Sequence, residues 1–109
     1  MQKAGNWRAE ADAVIRDIDQ HVKTAKVSMS LASSASRIFL NVTTMENQAY
    51  CVELSGKGFR VVGKSYDSQD APEDKYFETP YSLLSAISPL YNDSFGQELM
   101  KKLSKLADK

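Results

Sequence analysis

The chain has 109 residues, with 14 Lys+Arg set against 14 Asp+Glu, one His, one Cys and 42% hydrophobic residues. That length supports one modest core, so a single domain over 1–109 is expected. Zero net charge argues against a nucleic-acid binder that works by counterion release. One Cys excludes a disulfide framework and a Cys-rich zinc site, and one His weakens every His-based catalytic or metal scheme.

The N-terminus, Met1-Gln2-Lys3-Ala4-Gly5-Asn6, leads into no apolar run of the signal-peptide kind. No window approaches about 18 apolar residues, so no membrane span is expected. Asn41-Val42-Thr43 matches a glycosylation sequon but is expected to stay idle inside a strand. Cys51, flanked by Tyr50 and Val52, suits a reducing compartment. The cytoplasm is the expected location, with the nucleus as the alternative.

Residues 6–25 carry a helical stripe. Trp7, Ala11, Val14, Ile15, Ile18, Val22 and Ala25 recur at steps of three and four, and charged residues fill the other side. Asn6 is the expected N-cap. The period then changes to two. Val27, Met29 and Leu31 alternate with Ser28, Ser30 and Ala32, which predicts a short strand before the small-residue loop 33–36. Ile38, Leu40 and Val42 alternate with Phe39, Asn41 and Thr43, giving a second strand. A polar turn, 45–48, precedes a third strand on Tyr50, Val52 and Leu54. Ser55-Gly56-Lys57-Gly58 is a hairpin signal, because glycine adopts positive φ cheaply. The return strand is expected over Phe59–Tyr66, with Gly63 marking a bulge or close backbone approach.

The acidic run 67–74 reads as a solvated loop, and Tyr76-Phe77 as a short extended piece. Thr79-Pro80 and Ser88-Pro89 each place a capping hydroxyl before a proline suited to the first helical position. A short helix is predicted over Tyr81–Ile87 and a final one over Pro89–Ala107. Tyr91, Phe95, Leu99, Leu103 and Leu106 form the stripe of the final helix, widened by Met100. The order helix, strands, two helices implies an α+β domain. About four strands form an antiparallel meander, with the helices packed on one sheet face.

Catalytic chemistry finds little support. His21 falls on the polar side of the first helix, with no nucleophile and orienting acid placed beside it, and reads as a surface histidine. Cys51 sits mid-strand without the cationic setting a thiolate needs. The 67–74 carboxylates lack the alternate spacing and turn glycine of a calcium loop. Gly56 and Gly58 have neither phosphate-loop spacing nor a following helix. No metal, no cofactor and no enzymatic activity are expected. The aromatics do not interleave with basic residues as in single-strand binders.

The final stripe is harder to absorb into a core. A 19-residue helix is about 28 Å long, whereas strands of about six residues span about 20 Å. Two other helices already compete for the sheet. Leu99, Met100, Leu103 and Leu106 are then an exposed strip with a lysine rim, suited to a partner's groove.

Tyr50-Cys51-Val52-Glu53-Leu54, Val61-Val62-Gly63, Tyr81-Ser82-Leu83-Leu84, Ser88-Pro89, Tyr91, Phe95-Gly96 and Leu103 together resemble the glycogen synthase kinase-3 interacting protein family. Glu10-Ala11-Asp12-Ala13-Val14 extends the resemblance into the first helix. The family's domain also occurs inside larger clustered-mitochondria proteins, and at 109 residues this chain resembles the stand-alone form. The resemblance implies a non-enzymatic scaffold that binds and restrains glycogen synthase kinase-3 through its C-terminal helix, and so acts in Wnt signalling. Phe95, Leu99, Met100, Leu103 and Leu106 would enter a groove on the kinase, with Leu103 as central anchor.

Vertebrate members also anchor cAMP-dependent protein kinase, docking an amphipathic first helix on its regulatory subunit. Val14, Ile15, Ile18 and Val22 match that helix in apolar character. Asp19, Gln20 and Lys26 stand where the anchoring members carry large apolar residues. An unpaired Asp19 in an apolar groove would cost several kcal/mol. The first helix is therefore expected to pack on its own sheet. An enzyme with a site around His21 or the acidic loop, and self-association through the final helix, are the remaining alternatives.

Overall fold

The computed structural model describes residues 3–93. Helix α1 spans Lys3–Ile18 and closes in a 3-10 turn, Asp19–His21. Four strands follow: β1 Thr24–Val27, β2 Arg37–Thr43, β3 Ala49–Ser55 and β4 Gly58–Gly63. Helix α2 spans Pro80–Ile87, and residues 89–93 are again helical. The strands lie in the order β1-β2-β3-β4, each antiparallel to the next. This is the expected α+β meander.

Side-chain alternation divides the sheet into two faces. Register pairs Ile38 with Leu54, Leu40 with Val52, and Val52 with Val61, so these residues share one face. They pack against Ala11, Val14 and Ile18 of α1, Leu83 and Leu84 of α2, and Tyr91. Burying each large aliphatic here is worth roughly 1.5–3 kcal/mol relative to exposure. The opposite face holds a smaller cluster of Phe39, Cys51 and Val62, with Leu31 packed against it. Two covered faces explain why β2 is buried at five consecutive positions, Ile38 to Val42.

The first boundary differs from expectation. The helix ends at Ile18, and Val22 is already extended, with φ −138° and ψ 166°. The reason is competition from the sheet. Lys23 N–H donates to Thr43 C=O at 2.9 Å, and Ser28 N–H to Phe39 C=O at 2.9 Å. A helix continued to residue 25 would forfeit that ladder. β1 is therefore 24–27, not 27–32, and Met29 is left 88% exposed in a loop. Asn6 lies within the helix and does not cap it. Val14, Ile15, Ile18 and Val22 consequently do not form one helical face, since Val22 lies beyond the helix. Val14, Ile18 and Val22 are buried in the chain's own core, and Ile15 is partly buried against it.

The hairpin forms as expected, but Gly58 alone takes positive φ, at 116°. Its backbone runs tight against Phe77, where Phe59 and Phe77 exchange two 2.8 Å hydrogen bonds. β4 stops at Gly63, short of Tyr66, with a register irregularity at Cys51/Val52. A Cβ on Gly63 would run into the Ser68 carbonyl.

The acidic loop is anchored at its first residue. Asp67, at φ 58°, accepts from Ser28 Oγ at 2.5 Å and from Asn41 Nδ2 at 2.8 Å, and its N–H donates to Asn41 Oδ1 at 2.9 Å. The Asn41 and Ser28 hydrogen bonds hold its carboxyl below the usual range. Asn41, the sequon residue, is buried in β2.

Candidate functional site

The C-terminal stretch singled out by sequence begins at Ser88-Pro89, and the structure builds a fixed base there. Ser88 is buried and caps the new helix, its Oγ accepting from Tyr91 N–H at 3.1 Å. Pro89 sits at the first helical position, where its missing N–H costs nothing. The Ser88 hydroxyl donates to Glu46 Oε1 at 2.9 Å. Glu46 Oε2 accepts from Leu90 N–H at 2.7 Å. A carboxylate on free N–H groups at a helix N-terminus is electrostatically favourable.

Glu46 is presented by the β2–β3 turn. Asn47 turns the chain with φ 68°, and its N–H donates to Thr44 C=O at 2.9 Å. Burial pushes the Glu46 carboxyl up. Hydrogen bonds from Leu90, Thr44, its own backbone and Ser88 outweigh that and hold it below the ordinary 4.5.

Two further contacts lock the base. The Asn92 side-chain amide donates to Ser85 C=O at 2.9 Å, and Ser85 Oγ donates back to Asn92 Oδ1 at 2.7 Å. Tyr91 is buried, and His21 meets its ring edge-on at 5.3 Å and 90°. Burial and the nearby Tyr81 raise the Tyr91 hydroxyl's pKa. The first member of the final stripe thus belongs to the core, while Leu90 beside it is 47% exposed. Phe95, Leu99, Met100, Leu103 and Leu106 lie outside the described residues.

His21 corrects the surface reading. It is 8% exposed, and its buried Nδ1 has no hydrogen-bond partner among the described residues. It sits one step beyond Val14 and Ile18 on the inward side, as the spacing 14, 18, 21 allowed. Cys51 is buried on the other sheet face, among Phe39 and Val62. Burial pushes its thiol up, away from thiolate character. The sheet therefore separates the histidine from the cysteine. Among the described residues, no three His, Cys, Asp or Glu side chains converge on a metal position. A cleft of about 610 Å³, lined by Trp7, Glu10, Lys57, Phe59 and Glu78, touches neither His21 nor Cys51. Among the described residues, no helix is long and apolar enough to cross a membrane.

Sequence reasoning missed Glu46, which it read as one residue of a polar turn. Nothing local marks a carboxylate whose helix-end partners, Ser88 and Leu90, lie more than forty positions ahead.

Fold and site define an α+β domain whose C-terminal helix starts from a base clamped to the sheet. The chain belongs to the GSKIP domain family, whose model matches residues 7–106. It is similar to the GSK3-beta interaction protein of Danio rerio, at 40% identity over 102 residues, covering 93% of this chain and 77% of that protein. Similarity to the GSK3B-interacting protein of Homo sapiens is also 40% over 102 residues, covering 93% and 73%. The Protein GSKIP homolog of Drosophila melanogaster is 38% identical over 61 residues, covering 53% and 51%.

Proposed function

We propose that this chain is a non-enzymatic regulatory module that binds glycogen synthase kinase-3. Phe95, Leu99, Met100, Leu103 and Leu106 enter an apolar groove on the kinase, Leu103 is the central anchor, and the bound kinase is restrained. The module works in the cytoplasm, or alternatively the nucleus, and bears on Wnt signalling through that kinase. The observation that carries this reading is the match, over 93% of the chain, to relatives named for interaction with the kinase. The clamped base at Ser88 and Glu46 supports it physically: a helix that starts from a fixed point loses less freedom on docking.

Anchoring of cAMP-dependent protein kinase through the first helix is not part of this proposal. Val14, Ile18 and Val22 are 8%, 4% or less exposed beneath the sheet's own core, and docking them elsewhere would dismantle that core.

The test is capture of glycogen synthase kinase-3 by the wild-type chain and by Leu103→Pro. A proline there costs the helix roughly 3 kcal/mol, and binding is expected to be lost while amide signals of β2 and β3 stay unchanged. Undiminished capture by a folded Leu103→Pro protein removes the proposal. Light scattering at micromolar concentration separates it from self-association, which requires a dimer that the same substitution dissolves.

A further inference from the structure

On the sheet face away from the helices, the Glu53 side chain is only 4% exposed. An apolar residue would fill that place without charge burial. Two guanidiniums hold the carboxylate: Arg37 Nη1 lies 2.9 Å from Oε2 and Arg60 Nε 3.1 Å from Oε1. The arginines come from β2 and β4, on either side of β3, so Glu53 stands between them. A buried ion pair adds little net stability compared with apolar packing. What this one does is fix the aim of two arginine forks on a single face.

Each fork gives Glu53 one of five N–H donors. Among the described residues, no second carboxylate pairs with either. The Arg37 side chain remains 46% exposed. The Arg60 guanidinium lies over the Tyr76 ring at 5.0 Å, and Lys57 Nζ lies over the same ring at 5.6 Å. Lys57 has no carboxylate partner among the described residues. Arg37 and Arg60 share one carboxylate, and Lys57 lies beside Arg60 over the same half-buried ring, so the three cations outnumber by two the one carboxylate that pairs with them.

We propose that this face binds a phosphorylated segment of a protein partner, with the phosphate on Arg37, Arg60 and Lys57 and a neighbouring residue against Tyr76. Charge complementarity selects this occupant. A phosphate monoester carries about −1.5 to −2 charges near neutral pH, matching the surplus, whereas a carboxylate meets half of it. Arginine forks also suit the paired oxygens of phosphate. The surface lies toward the β3–β4 hairpin, and the Glu46 turn is at the other end of β3. The phosphate reading does not rest on the proposed kinase contact.

The experiment titrates the isotope-labelled full chain with acetyl-Gly-Gly-phosphoserine-Gly-Gly-amide, reading the Nε–H signals of Arg37 and Arg60 and the Lys57 amide. Saturable shifts at all three are expected, with none from the serine peptide and a response about fivefold weaker from the glutamate peptide. Lys57→Glu, which disturbs no ion pair, is expected to weaken binding at least about fivefold with the other signals in place. Leu103→Pro is expected to bind the peptide normally. Absent shifts, equal response to glutamate, or the same shifts at remote Lys23 and Lys64 would overturn the proposal. So would undiminished binding by Lys57→Glu, or sedimentation with phosphatidylserine vesicles in place of any peptide response.

Discussion

The Glu46 carboxylate accepts a 2.7 Å hydrogen bond from the backbone N–H of Leu90, 44 residues further on. The β2–β3 turn and the start of the last helix are thereby joined as one unit.

Glu46→Ala is expected to destabilise the fold by about 2 kcal/mol, the typical scale for hydrogen bonds to a charged group. The pH dependence has a definite sign. The Glu46 pKa is lower in the folded chain than the ordinary 4.5, so its contribution is fully present above that value. It is lost as pH falls through the folded value. Urea titrations at pH 7 and pH 4 check this: Glu46→Gln should show a smaller loss between the two than wild type. Equal losses would detach the carboxylate from the stability of the base.

His21 gives a prediction in the opposite direction. Its buried Nδ1 has no partner among the described residues, and a buried unsatisfied polar atom costs about 1–3 kcal/mol. The edge contact with Tyr91 returns about 0.5–1.5 kcal/mol. His21→Leu removes both and keeps most of the volume, so a net gain of about 1 kcal/mol is expected. In a domain of this size that raises Tm by about 4–8 °C. A calorimetric Tm below wild type would mean that the ring contact outweighs the orphaned nitrogen.

The legible parts of the fold were those written in neighbouring residues. Ile38, Leu40 and Val42 alternate, and they line one face of β2. Thr79-Pro80 announced α2, and Thr79 Oγ1 accepts from Ser82 N–H at 3.1 Å. Ser88 caps as its hydroxyl and the following proline suggested. The α1–β1 boundary was not legible, because Val14, Ile18, Val22 and Ala25 keep a helical spacing while Ala25 and Val27 also fit a strand. Only pairing with Thr43 and Val42 decides between them. Ser28 through Leu31 alternates like a strand, yet Ser28 turns inward to Asp67. The same limitation hid the Glu46 base and the Arg37–Glu53–Arg60 cluster, whose partners meet only once the register is set. The apolar residues from Phe95 to Leu106 lie outside the described residues, so their reading still rests on pattern and family.

Gly63 carries a steric prediction. A side chain there meets the Ser68 backbone, the segment leading from β4 into the anchored Asp67 turn. Gly63→Ala is expected to cost about 2 kcal/mol, since displaced backbone must absorb the clash. Gly56 provides the control, because nothing lies within 4 Å of its Cβ position. Gly56→Ala should fall within about 0.5 kcal/mol of wild type. Guanidinium unfolding of the two variants in parallel tests the contrast, and similar values for both would refute it.

Glu53 separates positioning from stability. Removing the carboxylate leaves Arg37 and Arg60 without the partner between them, and breaking a buried pair costs about 3–5 kcal/mol. Arg37 keeps substantial water contact, which places Glu53→Ala near the lower end, at about 3 kcal/mol. Glu53→Gln retains an acceptor oxygen and the side-chain shape, and is expected to lose about half as much. If the cluster exists to aim its guanidiniums, Glu53→Gln should also broaden the Arg37 and Arg60 Nε–H signals while the Ile38, Leu40 and Leu54 signals stay sharp. Sharp, unshifted arginine signals in that variant would mean that the forks are held by Phe39 and Tyr76 alone, over which they lie at 5.2 and 5.0 Å.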